Sequence, residues 1–179
     1  LRIVPGLGTR AVDRVSDDYP ILVAPGQPTL RTNVTPAETR RYSPSKVDLI
    51  NLETNSFETH DVHDVLREVG FDYPGLMNMI SVIEDNNVRR PSPLNVDFES
   101  RSLAVTFDGL LSRSPFVSQM RALLEHLEEH LDLPVDVEFA SDGDDLYLLQ
   151  CRPQSYAANE ASSPIPTDIP RENLVFSVN

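Results

Sequence analysis

Between Pro134 and Pro153 the chain alternates and then turns continuously apolar. Val135, Val137 and Phe139 are separated by Asp136 and Glu138, and Leu146 to Cys151 is a largely apolar run. Ser141-Asp142-Gly143-Asp144-Asp145 lies between them, so the pattern predicts a β-hairpin. If Asp142 and Leu146 close a three-residue loop around Gly143, the antiparallel register pairs Glu138 with Gln150 and Asp136 with Arg152. The period of two then places Asp136, Glu138, Gln150 and Arg152 on one face. Val137, Phe139, Leu149 and Cys151 fall on the other, facing a core. A slip of one residue would destroy the arrangement.

Elsewhere the period changes. Gly26 to Pro36 is loop-like. Val47 to Leu52 and Thr54 to Phe57 read as a second hairpin with Asn55-Ser56 near its turn. Thr59 or Asp61 is placed to cap a short helix through Val65, Leu66 and Val69 that stops at Gly70. Pro74 to Glu84, with Leu76, Met77, Ile80 and Ile83, predicts a further helical segment. Asn86 to Asn95 reads as a polar, proline-punctuated loop before a strand at Leu103 to Phe107. The strongest helical signal is Pro115 to Leu131. Ser114 is placed to cap it, and Phe116, Met120, Leu123, Leu124, Leu127 and Leu131 form one apolar stripe, expected to lie against the 134–153 hairpin. Its opposite face carries Glu125, His126, Glu128, Glu129 and His130. No internal repeat or low-complexity tract interrupts the chain.

The 179 residues are 40% hydrophobic, enough for one core or two small subdomains. With 15 Lys and Arg against 28 Asp and Glu the net charge is −13, which argues against a nucleic-acid surface. No apolar run is long enough to span a membrane, and no signal segment is present. The single cysteine, Cys151, excludes an internal disulfide framework and reads as a small buried hydrophobe. A reducing cytoplasm fits these features.

Two carboxylates, an amide oxygen and a guanidinium on one hairpin face suggest a specific chemistry. Magnesium takes hard oxygen ligands, commonly one or two from protein with phosphate oxygens beside them, and an arginine offsets the phosphate charge that remains. The same residues also fit an exposed cross-strand ion pair between Asp136 and Arg152, contributing less than about 1 kcal/mol. Spacing alone leaves both readings open.

The residues carry a resemblance. Asp136-Val-Glu-Phe-Ala140, then Asp142-Gly143, then Leu146-Tyr-Leu-Leu-Gln-Cys-Arg-Pro153 resembles the end of the ATP-grasp nucleotide-binding domain in the phosphoenolpyruvate synthase and pyruvate phosphate dikinase family. That family has a D-[IV]-E-[FW] strand followed by a strand ending L-Q-[AC]-R. Val4-Pro5-Gly6-Leu7-Gly8-Thr9-Arg10-Ala11-Val12 resembles its G-L-G-E-x-V-V turn, with Thr9 where the family has an acidic residue. The contact made by that carboxylate is therefore missing here or supplied differently. The resemblance is clear over the first dozen residues and 111–153, and loose over 31–105.

The resemblance implies an α+β, ATP-grasp-like fold, an antiparallel sheet packed with helices, here the C-terminal portion of a larger domain. Residues 1–156 would form the nucleotide-binding part, and 157–179 a linker with the start of a following segment. It further implies Glu138 and Gln150 as magnesium and nucleotide ligands, Asp136 as a ribose or site-ordering contact, and Arg152 as the catalytic residue on the transferring phosphate, with ATP and Mg as cofactors. In-line phosphoryl transfer depends on placement and charge neutralisation rather than on a protein nucleophile within this domain. In the family the acceptor is a histidine on a separate phosphohistidine domain, and pyruvate or phosphoenolpyruvate is the final partner. Glucan dikinases and antibiotic phosphotransferases share this kind of nucleotide domain, so another acceptor stays open, as does a degenerate regulatory nucleotide-binding module. The family's glycine-rich lid and triphosphate-holding lysine and arginines have no counterpart here, so the stretch is expected to be inactive alone. Leu1 to Val4 reads as a strand needing neighbours from upstream sequence.

Other motifs are weaker. His126 and His130 lie one turn apart as in zinc proteases, but the position after the first histidine is Leu127 rather than glutamate, and a solvated face accounts for them. Gly6 to Ala11 formally fits G-x-G-x-x-A, yet no acidic residue lies near position 30 and Pro20 cuts the following helix short. There is no G-K-[ST] phosphate loop. Asn33-Val34-Thr35 is a formal glycosylation site that carries no weight in a cytosolic protein.

Overall fold

The computed structural model describes residues 1–12, 18–28, 30 and 35–154. The expected linker at 157–179, the domain boundary at 156 and Asn33 lie outside the described residues. Strand β1 (Arg2–Ile3) leads through helix α1 (Thr9–Val12) to β2 (Ile21–Leu22), and the two strands pair antiparallel. The opening strand thus pairs with a downstream segment of its own chain. Helix α2 (Pro36–Arg41) starts with a capping box. Thr35 Oγ1 accepts from the Glu38 N–H and the Glu38 carboxylate accepts from the Thr35 N–H.

Strands β3 (Lys46–Asn51) and β4 (Ser56–Asp61) form the second hairpin, with Asn55 at φ 53° in its turn. Asp61 caps helix α3 (Val62–Val69), its side chain accepting from the His63 N–H at 2.8 Å, and Gly70 ends the helix at φ 60°. Of the two candidate caps Asp61 does this work, while Thr59 stays in β4 and turns to a buried acid.

The segment from Pro74 to Glu84 departs from its predicted helix. Only α4 (Leu76–Met79) is helical, and Ile80–Glu84 forms strand β5. β5 is the centre of a three-stranded antiparallel sheet between β6 (Asn87–Arg89) and β7 (Leu103–Val105). Ile80 to Ile83 are buried on both faces, Ser81 among them, so the strand lacks a strict apolar–polar alternation and its isoleucines also fit a helix face. The polar stretch after it is also no plain loop. Asp85 and Asn86, both at positive φ, make the tight turn that returns the chain as β6.

Helices α5 (Asp108–Arg113) and α6 (Phe116–Leu131) follow, then β8 (Val135–Ser141) and β9 (Leu146–Pro153). The helix starts one residue later than expected, with Pro115 and not Ser114 in the capping position and no side-chain cap, although Ser114 Oγ accepts from the Phe116 N–H at 3.2 Å. The stripe of α6 is buried at Phe116 and Met120 and half-exposed at Leu123, Leu124 and Leu127, ending 46% exposed at Leu131. The Phe116 and Phe139 rings, 5.7 Å apart, join α6 to β8. Among the described residues the fold is mixed α and β, with four small antiparallel sheets in place of one, consistent with the α+β class. One core, centred on Leu66, Ile80, Val82 and Met120, holds them together.

Candidate functional site

The β8–β9 register pairs Asp136 with Arg152 and Glu138 with Gln150, as the alternation predicts, but by a different route. Ser141 pairs with Leu146, so the loop is Asp142 to Asp145, one residue longer than expected. A bulge at Leu149 between the Glu138 and Phe139 rungs takes up the difference. Asp142 builds the loop: its Oδ1 accepts from the Asp144 and Asp145 N–H groups at 3.1 and 2.9 Å, and its Oδ2 from the Tyr147 hydroxyl at 2.8 Å. The backbone bond from Asp145, with those from Tyr147 and Asp144, holds the Asp142 carboxyl below its ordinary value, and the same carboxylate raises the Tyr147 hydroxyl.

The four expected site residues share one face, and their partners divide them. Asp136 Oδ2 lies 3.9 Å from Arg152 Nε, with side chains 51% and 61% exposed. Glu138 and Gln150, directly opposed, make no hydrogen bond or ion pair among the described residues, so two oxygen-bearing side chains stand side by side free for a ligand. Among the described residues no group of three or more His, Cys, Asp or Glu could hold a metal. A magnesium ion at Glu138 and Gln150 would therefore draw most of its shell from phosphate oxygens and water, which is its usual habit, and to that extent the residues fit it. Gln154, absent from the expected set, donates from Nε2 to Asp136 Oδ1 at 3.0 Å. The period of two running on from Arg152 was the signal that could have found it.

The opposite face corrects two expectations. Val137 and Phe139 pack against the core, but Leu149 is 65% exposed and Cys151 is exposed rather than buried. The reason is that α6 packs on β8, while β9 is the outer strand of a two-stranded sheet.

The glycine turn near the start is joined to β3. Leu7 N–H donates to the Asp48 carbonyl at 2.9 Å, and Gly6, at φ 70°, lies so close that a β-carbon there would strike the Asp48 carbonyl and the Val47 side chain. Thr9, in the place of the acidic residue, donates to Asp48 Oδ2 at 2.5 Å. Asp48, 4% exposed, also accepts from Arg10 Nε at 2.9 Å and from Thr59 Oγ1 at 2.7 Å. Burial alone would raise this carboxyl, but the bonds from Thr9, Thr59 and Arg10 outweigh it and hold it below the ordinary value. Asp18, 3.9 Å from Arg10 Nη1, accepts from the Ser45 and Lys46 N–H groups. Thr9 is thus committed to a buried structural acid.

The glycine turn and the hairpin loop approach one another through residues 73–75. Burial raises the Tyr73 hydroxyl and the Gly6 backbone acts against that rise, and two residues on, Gly75 packs against Gly143 in the hairpin loop. On α6 the His126 and His130 rings lie 4.1 Å apart and exposed, with His130 Nδ1 2.8 Å from the His126 carbonyl. No helix among the described residues is long and apolar enough to cross a membrane.

The family to which the sequence belongs is one of AMP/ATP-binding domains. The chain matches the family described as pyruvate phosphate dikinase, AMP/ATP-binding domain, over residues 1–173, and it belongs to that family. The match takes in 31–105, where the motifs alone were loose. No curated protein and no solved structure matches the chain significantly.

Proposed function

We propose that the chain contributes the Mg·ATP-facing wall of an ATP-grasp domain, as its C-terminal portion, in a dikinase-type phosphotransferase. The full-length protein would phosphorylate a histidine on a separate domain and pass the phosphoryl group to pyruvate. The observation that carries this reading is the directly opposed pair Glu138 and Gln150, whose side chains are free, two rungs from Arg152 and on the same face. Bound there, magnesium would neutralise phosphate charge and fix its geometry. Glu138 and Gln150 would hold that ion, Asp136 would order the site, and Arg152 would lie along the transferring phosphate, where a preorganised guanidinium stabilises developing charge. Family membership supports nucleotide as the ligand. The phosphohistidine and pyruvate steps rest on the resemblance of the two motifs.

A regulatory module that binds nucleotide without transferring phosphate is the second reading, and Thr9 favours it, since no carboxylate follows the second glycine. The experiment is ATP-dependent autophosphorylation of the full-length protein. Glu138→Gln and Arg152→Ala should each abolish it while leaving the fold intact. Unchanged labelling would remove the assignment, and nucleotide binding with no labelling in the unmutated protein would establish the regulatory reading.

A further inference from the structure

Asp136 and Glu138 lie two residues apart on one strand, face the same way, and yet have opposite situations. Glu138 is free. Asp136 has both oxygens engaged, Oδ1 by Gln154 Nε2 at 3.0 Å and Oδ2 by the approach of Arg152 Nε at 3.9 Å. Gln154 is itself fixed, because its backbone N–H donates to the Pro134 carbonyl at 2.8 Å. That bond adds a rung beyond Pro153, a residue with no N–H to give.

We propose that Gln154 and Asp136 are positioning residues that set the Arg152 guanidinium for an anionic phosphate, and do not touch the nucleotide themselves. The proposal rests on the nucleotide reading above and adds to it a residue that neither family motif contains. An exposed Asp–Arg pair at this distance is weak, so Asp136 alone would not hold a long side chain in one orientation. A second donor on the same carboxylate, from a residue anchored by the ladder, fixes the carboxylate and hence the wall against which Arg152 rests. The contact falls on Nε, which leaves both terminal nitrogens of Arg152 for phosphate oxygens, the edge that binds them in pairs. It also satisfies Asp136, so Glu138 is left as the free carboxylate of the face.

The test is the order of the Arg152 Nε–H group by nitrogen-15 NMR relaxation in the full chain, together with calorimetric titration of ATP and of adenosine, both with magnesium. Gln154→Ala and Asp136→Asn should each raise Arg152 mobility and weaken ATP binding several-fold. Adenosine affinity and the thermal midpoint should be unmoved. In the Arg152→Ala background, Gln154→Ala should cost nothing further. If Arg152→Ala weakens ATP binding but Gln154→Ala changes neither Arg152 mobility nor ATP affinity, the nucleotide reading stands and this inference falls. If Arg152→Ala leaves ATP affinity unchanged, the nucleotide reading itself fails and takes the inference with it.

Discussion

At Asp48 a buried carboxylate receives three side-chain donors, one of them the guanidinium of Arg10, 8% exposed. Removing the acid takes the 2.9 Å carboxylate from a buried cation that Asp18 approaches only at 3.9 Å. Breaking one side of a buried pair costs about 3–5 kcal/mol, so Asp48→Ala should lower unfolding free energy by that order in urea titration, and Asp48→Asn by less. Thr9→Ala, which removes a single donor, should cost about 1 kcal/mol. Acid acts through the same kind of group. The half-buried Glu58 carboxyl is pushed from its ordinary 4.5 down to about 2 by His60 first, then Ser56, Asn51 and Thr54. A carboxyl depressed in the folded state gives stability that is present above its unfolded value and lost as pH falls through the folded one. The thermal midpoint should therefore fall between about pH 4.5 and 2, and Glu58→Gln should flatten part of that slope. A midpoint that rises on acidification through this window would contradict the assignment.

At the scale of elements, legibility depended on which faces are buried. The β8–β9 register was readable because acidic residues alternate strictly with apolar ones, so only one pairing puts Val137 and Phe139 on the core side. The loop length and the Leu149 bulge were not, since two compensating one-residue changes leave the site rungs untouched. β5 was misread because a strand buried on both faces has no period, and the local sequence at 76–83 satisfies a helical template equally well. Asp48 was invisible as a site member, for its donors lie 38 residues away at Arg10 and 11 away at Thr59. The hairpin tip offers a direct test. Gly143 has φ 106°, and a β-carbon there would lie 2.9 Å from Gly75 N and 3.1 Å from its Cα, contacts with backbone that has no room to yield. Gly143→Ala should destabilise by about 1–3 kcal/mol from positive φ and overpacking together. It should also shift the amide resonances of β8 and β9 more than those of β3 and β4.

Among the described residues no sheet is large enough to stand alone, because two-stranded sheets are marginal in water and three of the four sheets have only two strands. The single core must therefore make the fold cooperative, and heat should unfold the chain in one transition. The glycine turn and the β8–β9 hairpin share more than the core, since the Gly6 backbone acts on the half-buried Tyr73 hydroxyl and Gly75 packs on Gly143. Tyr73→Phe removes that hydroxyl from beside Gly6 at a cost of about 1 kcal/mol, while Gly143→Ala pushes on the other end of the same turn. If Tyr73, Pro74 and Gly75 move as one piece, the first substitution frees the turn to yield to the second. The double variant should then lose less stability than the two single losses added, with an interaction energy of about 0.5 kcal/mol or more. Additivity within about 0.3 kcal/mol in urea titrations would mean that the two motifs are held independently. In that case a change at Gly6 would reach Glu138 and Arg152 only through global stability, and the turn would have no part in setting the hairpin's position.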